Sequence, residues 1–106
     1  MEHRLEAVMY KVDLRKVPNQ ELTFIVNNEV FRIQLRTIQD LTFATIFLNE
    51  KPLLYSQLCT PNNYINLYNY ISASGKFFFK CIDEEYPNYT KFGETQELLF
   101  YTEDEL

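Results

Sequence analysis

The sequence predicts an all-β domain, a small antiparallel barrel or sandwich of about seven short strands. Three observations carry that expectation. Apolar residues recur with period two and nowhere sustain the 3.6-residue period of a helix. The runs are rich in Val, Ile, Thr, Phe and Tyr, which suit a pleated, half-buried surface. Turn signals interrupt them about every 8–12 residues, the spacing of sandwiches and barrels. The 106 residues are 46% apolar and 16% aromatic, enough for one core that hides roughly 65% of the surface the unfolded chain exposes.

Near the start, Tyr10 to Leu14 alternates and is suited to pairing at a sheet edge before Pro18. Leu22-Thr23-Phe24-Ile25-Val26 leads through Asn27-Asn28 into Val30-Phe31-Arg32-Ile33-Gln34-Leu35-Arg36. The two asparagines mark a hairpin, because Asn tolerates the positive φ that two-residue turns require. In the second run Phe31, Ile33 and Leu35 share one face and Arg32, Gln34 and Arg36 the other, a strand with one wet side. Leu41 to Leu48 is apolar on both faces and reads as central, although a short helix from Asp40 is conceivable. Asn49-Glu50-Lys51-Pro52 turns the chain into Leu53-Leu54-Tyr55, and Pro61-Asn62-Asn63 breaks it again. Tyr64 to Ile71 alternates, Ser72-Ala73-Ser74-Gly75 turns, and Lys76 to Ile82 forms the next strand. A long loop from Asp83 to Glu94 precedes the last strand, Gln96 to Thr102. With only two Gly against nine Asn, Asn is expected to do most of the turning.

The formal charge of −5 is unevenly placed. Residues 1–53 are neutral, and the acidic excess falls in Asp83-Glu84-Glu85 and the tail Glu103-Asp104-Glu105. The simplest reading is a solvated turn and a solvated terminus; the sharper one is a negative surface that selects a basic neighbour. Nucleic acid is not expected as a partner, because its binding rests on neutralising phosphates. No apolar run approaches the roughly 20 residues a membrane helix needs. The opening Met1-Glu2-His3-Arg4-Leu5-Glu6 has two acids and no apolar stretch behind it, so no secretory signal is expected. The Asn88-Tyr89-Thr90 acceptor pattern is accordingly not expected to be glycosylated.

Groups for catalysis are scarce. A nucleophile needs a base within hydrogen-bond reach, and the one His is His3. Cys59 and Cys81 have no metal-ligand spacing and read as buried free thiols in a reducing compartment. Asp83, Glu84 and Glu85 lack the alternating spacing of a calcium loop, and two Gly cannot build a phosphate cradle. No catalytic residue, metal or cofactor is expected, and the protein does not read as an enzyme. The surplus is aromatic. Tyr64, Tyr68 and Tyr70 fall on one strand face, where covering a half-exposed sheet is their simpler role. Tyr86, Pro87, Tyr89 and Phe92 cluster in one loop, which is expected to be stiff and to contact a partner.

The order of these segments carries a resemblance. Val17-Pro18-Asn19-Gln20, Phe31-Arg32-Ile33-Gln34-Leu35-Arg36, Asp40-Leu41-Thr42-Phe43 and Ile46-Phe47-Leu48-Asn49 come first. Cys59-Thr60-Pro61-Asn62, Gly75-Lys76-Phe77-Phe78-Phe79, Tyr86-Pro87-Asn88-Tyr89-Thr90-Lys91-Phe92-Gly93 and Leu98-Leu99-Phe100-Tyr101 follow. The chain resembles the small phage proteins of the cyanophage-type baseplate plug family over about residues 9–106. The Tyr-Pro-x-Tyr-x-x-Phe-Gly run before the final strand is the most specific piece. The resemblance implies a structural tail component, made in a bacterial host from a phage or prophage and built into the virion tail. It implies docking to tube, hub and wedge proteins, with several copies in a ring, and it brings no catalytic residues. Residues 1–8 then look like an N-terminal extension on a single domain at 9–106. Ser72-Ala73-Ser74-Gly75 departs from the more Gly-rich segment of that family. The competing expectation is a stand-alone β-module that binds a peptide or glycan through its aromatic face.

Overall fold

The computed structural model describes residues 5–26, 28–65 and 75–105, with side chains from residue 10 to residue 101 within them. Eight strands form two four-stranded antiparallel sheets, packed face to face as a sandwich and not closed into a barrel. The strands are β1 Leu5–Val12, β2 Gln20–Val26, β3 Glu29–Ile38, β4 Leu41–Leu48, β5 Lys51–Leu58, β6 Asn63–Tyr64, β7 Gly75–Cys81 and β8 Gln96–Glu105. One sheet is the meander β2-β3-β4-β5, and the other has the order β1-β8-β7-β6. The chain changes sheet between β1 and β2 and again between β5 and β6. Among the described residues neither crossing makes a ladder, and β1, β6, β2 and β5 are the outer strands of the two sheets.

Alternation decides which residues fill the interior. From the meander, Phe31, Ile33, Leu35, Ala44, Ile46 and Leu48 face inward, and Phe77, Phe79, Leu98 and Phe100 meet them from the other sheet. Four rings form the seam. Phe24 stacks on Phe31 at 5.6 Å, and both meet Phe77 and Phe100 across the sheets at centroid separations of 4.9–5.8 Å. Tilted and edge-to-face contacts of this kind add about 0.5–1.5 kcal/mol per pair beyond the area they bury.

The turns correct one expectation. Asn28, Asn49 and Asn62 do sit at left-handed φ, but so do Gln39, Asp40, Glu50, Ser56 and Glu84. Gln39 and Asp40, at φ 51° and 64°, make a two-residue turn that extends β3 to Ile38 and starts β4 at once. The conceivable helix from Asp40 is therefore a strand. Asp40 tolerates the left-handed region, but Gln39 is no turn former, so pairing of β3 with β4 holds it there. The expected strand at 64–71 is seen as β6 through Tyr64, and residues 66–70 and 71–74 lie outside the described residues.

At the far end, β8 continues to Glu105 and pairs residue by residue with β1, from Leu5↔Glu105 to Val12↔Leu98. The acidic tail thus has its backbone in a ladder, and β1 already begins at Leu5. Gly75 serves close approach and not a turn. A Cβ there would lie 2.0 Å from the Tyr101 carbonyl oxygen and 2.8 Å from the Phe100 ring. Gly75→Ala must push β7 away from β8, and overpacking of this kind costs about 1–3 kcal/mol. The expected outcome is a lower urea midpoint at unchanged slope. An unaltered midpoint would show that β7 and β8 do not approach this closely.

Candidate docking surfaces

The loop between β7 and β8 is held from both sheets. Gln96, the first residue of β8, is fully buried. Its Oε1 accepts the Asn88 N–H at 2.8 Å. Its Nε2 donates to the carbonyls of Tyr86 (3.1 Å) and Glu85 (3.3 Å) and to Asp83 Oδ1 (3.4 Å). From the meander, the buried Thr42 hydroxyl donates to the Pro87 carbonyl at 2.8 Å, and Asn88 Nδ2 donates to the Asp40 carbonyl at 3.2 Å. Asn88 Oδ1 accepts the Thr90 N–H at 3.0 Å and caps the 3₁₀ turn Tyr89–Lys91. Phe92 then packs on Phe79 at 5.6 Å, and Gly93 at φ 82° lets its N–H reach the Gln96 carbonyl at 2.8 Å.

This geometry sorts the loop residues expected at a partner surface. Pro87 and Phe92 are buried in the sandwich and have no surface to offer. Tyr89 is half-buried against the core. Tyr86, 50% exposed, is the ring that faces outward. The stiffness expected of the loop is present, but hydrogen bonds to Gln96 and Thr42 supply it as well as Pro87.

The acidic group beside this loop is largely engaged. Asp83 accepts from the Glu85 N–H at 3.0 Å and from the Thr95 hydroxyl at 2.8 Å, and the Lys91 ammonium lies 3.5 Å away. Lys91 also pairs with Glu85. Two carboxylates therefore share one lysine, and Glu84 is exposed at a left-handed φ of 58°. Desolvation pushes the Asp83 carboxyl up, but hydrogen bonds from Thr95 and Gln96 and the Lys91 charge outweigh it and leave the pKa lowered.

A second surface lies on the outer face of the β1-β8-β7-β6 sheet. Tyr64 meets Phe78 edge-on at 5.2 Å, Phe78 meets Tyr101 at 6.0 Å, and Lys76 Nζ lies 5.5 Å from the Tyr64 ring centre. Tyr64 is 39% exposed. Tyr68 and Tyr70, expected on the same face, lie outside the described residues. Phe78 and Tyr101 were not singled out from the sequence. Their signal was available in the alternation, since Phe78 has the opposite parity to the buried Phe77 and Phe79.

The outer face of the meander presents a third group. The Arg32 guanidinium sits 3.9 Å over the Phe47 ring, and Phe47 meets the exposed Tyr55 edge-on at 6.4 Å. Glu50 and Glu21 bind Arg32 at 3.2 and 3.1 Å, and Gln34 donates to Glu21 at 2.7 Å. The hydrogen bond that Arg32 donates to Glu50 leads in raising the Arg32 pKa, while those that Gln34 and Arg32 donate to Glu21 lower its pKa. Sequence reading placed Phe47 in a strand apolar on both faces and so missed its place on the outer side, and Tyr55, in the run after the turn, was not singled out.

Among the described residues, no group of three or more His, Cys, Asp or Glu is arranged to hold a metal ion. Cys59 and Cys81 are free and buried, and burial raises the pKa of both thiols. Both sheets carry aromatic rings on their outer faces, and on the meander they lie beside paired charges. A family model described as "Cyanophage baseplate Pam3 plug gp18" matches residues 9–104, and the chain belongs to that family. Its role is therefore that of a structural baseplate component, among other phage baseplate or tail proteins. Compared with curated proteins, the chain matches none.

The Asp83 network has a pH signature. A carboxyl whose folded pKa lies below its unfolded value, about 3.9, adds stability that is complete above that value and is lost as pH falls through the folded pKa. Thermal unfolding followed from neutral pH down to about pH 2 should therefore show a steep acid limb. Asp83→Asn should flatten that limb, and an unchanged limb would show that the network does not hold Asp83 charged.

Proposed function

We propose that the protein acts in the virion tail by docking to tube and hub proteins of the baseplate, and that its exposed rings make the contact. The observation that carries this reading is the family match over residues 9–104. Tyr86 and the Tyr64–Phe78–Tyr101 group are the contact residues of the proposal. Tyr and Trp dominate interface energetics because a large apolar ring and a polar tip come with few rotatable bonds. Docking on strands and on a pinned loop costs little ordering entropy. Glu84, with Asp83 and Glu85 only partly neutralised by Lys91, would favour a basic neighbour and speed encounter more than it deepens affinity. Several copies arranged in a ring, with wedge proteins around them, complete the proposal, and synthesis takes place in the bacterial host. No step of this role requires catalysis.

Light scattering behind size exclusion tests it, with the chain mixed with the tube and hub proteins of the same phage. The mixed sample should elute as a defined complex. Tyr86→Ala or Tyr64→Ala should weaken that complex by about tenfold or more, the range of a contact hot spot. A complex of unchanged affinity in both variants would move the contact to another face. Absence of any complex, together with tight binding of a free glycan or peptide that Tyr64→Ala abolishes, would replace the baseplate reading with the stand-alone binding module.

A further inference from the structure

Among the described residues, the outer edges of β5, β6 and β2 are not alike. β5 carries Pro52, two register shifts against β4, and Ser56 at φ 44° with its N–H turned back to Thr45 Oγ1 at 3.0 Å. Proline and irregular pairing are devices that stop an edge from accepting another strand. Only two residues of β6 pair. β2 has no such protection. It pairs with β3 without a shift from Gln20↔Leu35 to Val26↔Glu29, holds no Pro, Lys or Arg, and leaves Ile25 70% exposed.

The phase of the ladder says which backbone groups this edge presents. In an antiparallel pair, residues alternate between bonding across the ladder and pointing their groups away. The pair that closes a two-residue hairpin bonds across it, so Val26, Phe24, Leu22 and Gln20 bond to β3. Glu21, Thr23 and Ile25 then point N–H and C=O outward. The Asn49 N–H donated to the Val30 carbonyl at 2.7 Å agrees, because Val30, opposite Ile25, turns its groups toward the β4 side. A cleft of about 300 Å³ opens beside this edge, between Tyr10–Asp13 at the end of β1 and Leu22–Val26 of β2, with a mainly apolar lining.

A row of backbone donors and acceptors in strand register is matched by another extended polypeptide and by little else. We infer that the occupant is a second copy of this chain, joined β2 to β2 about a two-fold axis at Thr23. That register is self-complementary. Thr23 faces Thr23 of the other copy, and Glu21 faces Ile25 of the other copy. On the inner side Leu22 faces Phe24 of the other copy, covering the mouth of the cleft. No like charges meet, since the one ionised group, Glu21, stays bound to Arg32 of its own copy. All three outward-pointing residues find partners, giving about six hydrogen bonds. The two meanders merge into one eight-stranded sheet through an isologous contact. A contact made by one pair of edge strands gives a dimer whose population rises with protein concentration. The inference does not rest on the baseplate role.

Sedimentation velocity over a concentration series tests it with the wild type, Thr23→Pro and Ile25→Lys. Thr23→Pro removes an N–H that the dimer uses and the fold does not. Ile25→Lys sets a charge on the edge at an exposed position and serves if Thr23→Pro fails to fold. The wild type should double in mass as concentration rises. Both variants should remain monomers over the same range, with dissociation at least tenfold easier. A wild type that stays monomeric throughout, including one that accepts only a strand from another tail protein, overturns the inference. Variants that dimerise as well as the wild type overturn it too.

Discussion

The buried Gln96 amide is the constraint on which the arrangement of this molecule turns. A primary amide without partners inside a protein costs several kcal/mol. This one satisfies itself by taking hold of four points on a single loop, Asp83, Glu85, Tyr86 and Asn88. The loop is then fastened to the opposite sheet by Thr42 and Asp40. The result is a brace across one end of the sandwich, built from hydrogen bonds where the seam beside it is built from Phe24, Phe31, Phe77 and Phe100. Because the brace ties β8 to β4, the orientation of Tyr86 is set by both sheets together.

This division of labour explains why the aromatic excess serves two purposes. Rings that point inward close the two sheets on each other. Rings of opposite parity on the same strands, Phe78 and Tyr101 on one sheet and Phe47 on the other, are left at the surface. Beside Phe47 the charge is already paired, Arg32 with Glu21 and Glu50. Paired charges beside rings lower the desolvation cost of covering those rings. A structural tail component can recruit neighbours with such faces and needs no reactive group.

Much of the fold was legible because alternation is a local property. Phe31, Ile33 and Leu35 against Arg32, Gln34 and Arg36 defined one face of β3, and Asn49-Glu50 announced the turn from β4 to β5. The sandwich could not be told from a barrel, since closure depends on which edges pair and not on any one strand. Gln39 carried no turn signal, and Glu103 to Glu105 carried no strand signal; pairing with β4 and β1 imposed both. The site was harder still. Pro87 and Phe92 sit in a loop, where no period assigns an inside. Gln96 at the start of a strand looks like a wet boundary residue until Asp83, Glu85, Tyr86 and Asn88 are brought around it. Gly75 reads as part of a turn, and only the packing of β8 against β7 reveals it as a point of close approach.

Hydrogen exchange at the Asn88 amide tests this account most directly, because its N–H donates to Gln96 Oε1 in the middle of the brace. The account predicts protection close to that of the slowest amides of β3 and β4, so that Asn88 exchanges only when the sandwich opens. Exchange at the rate of an unstructured loop would contradict it, and would return Pro87 and Phe92 to the surface.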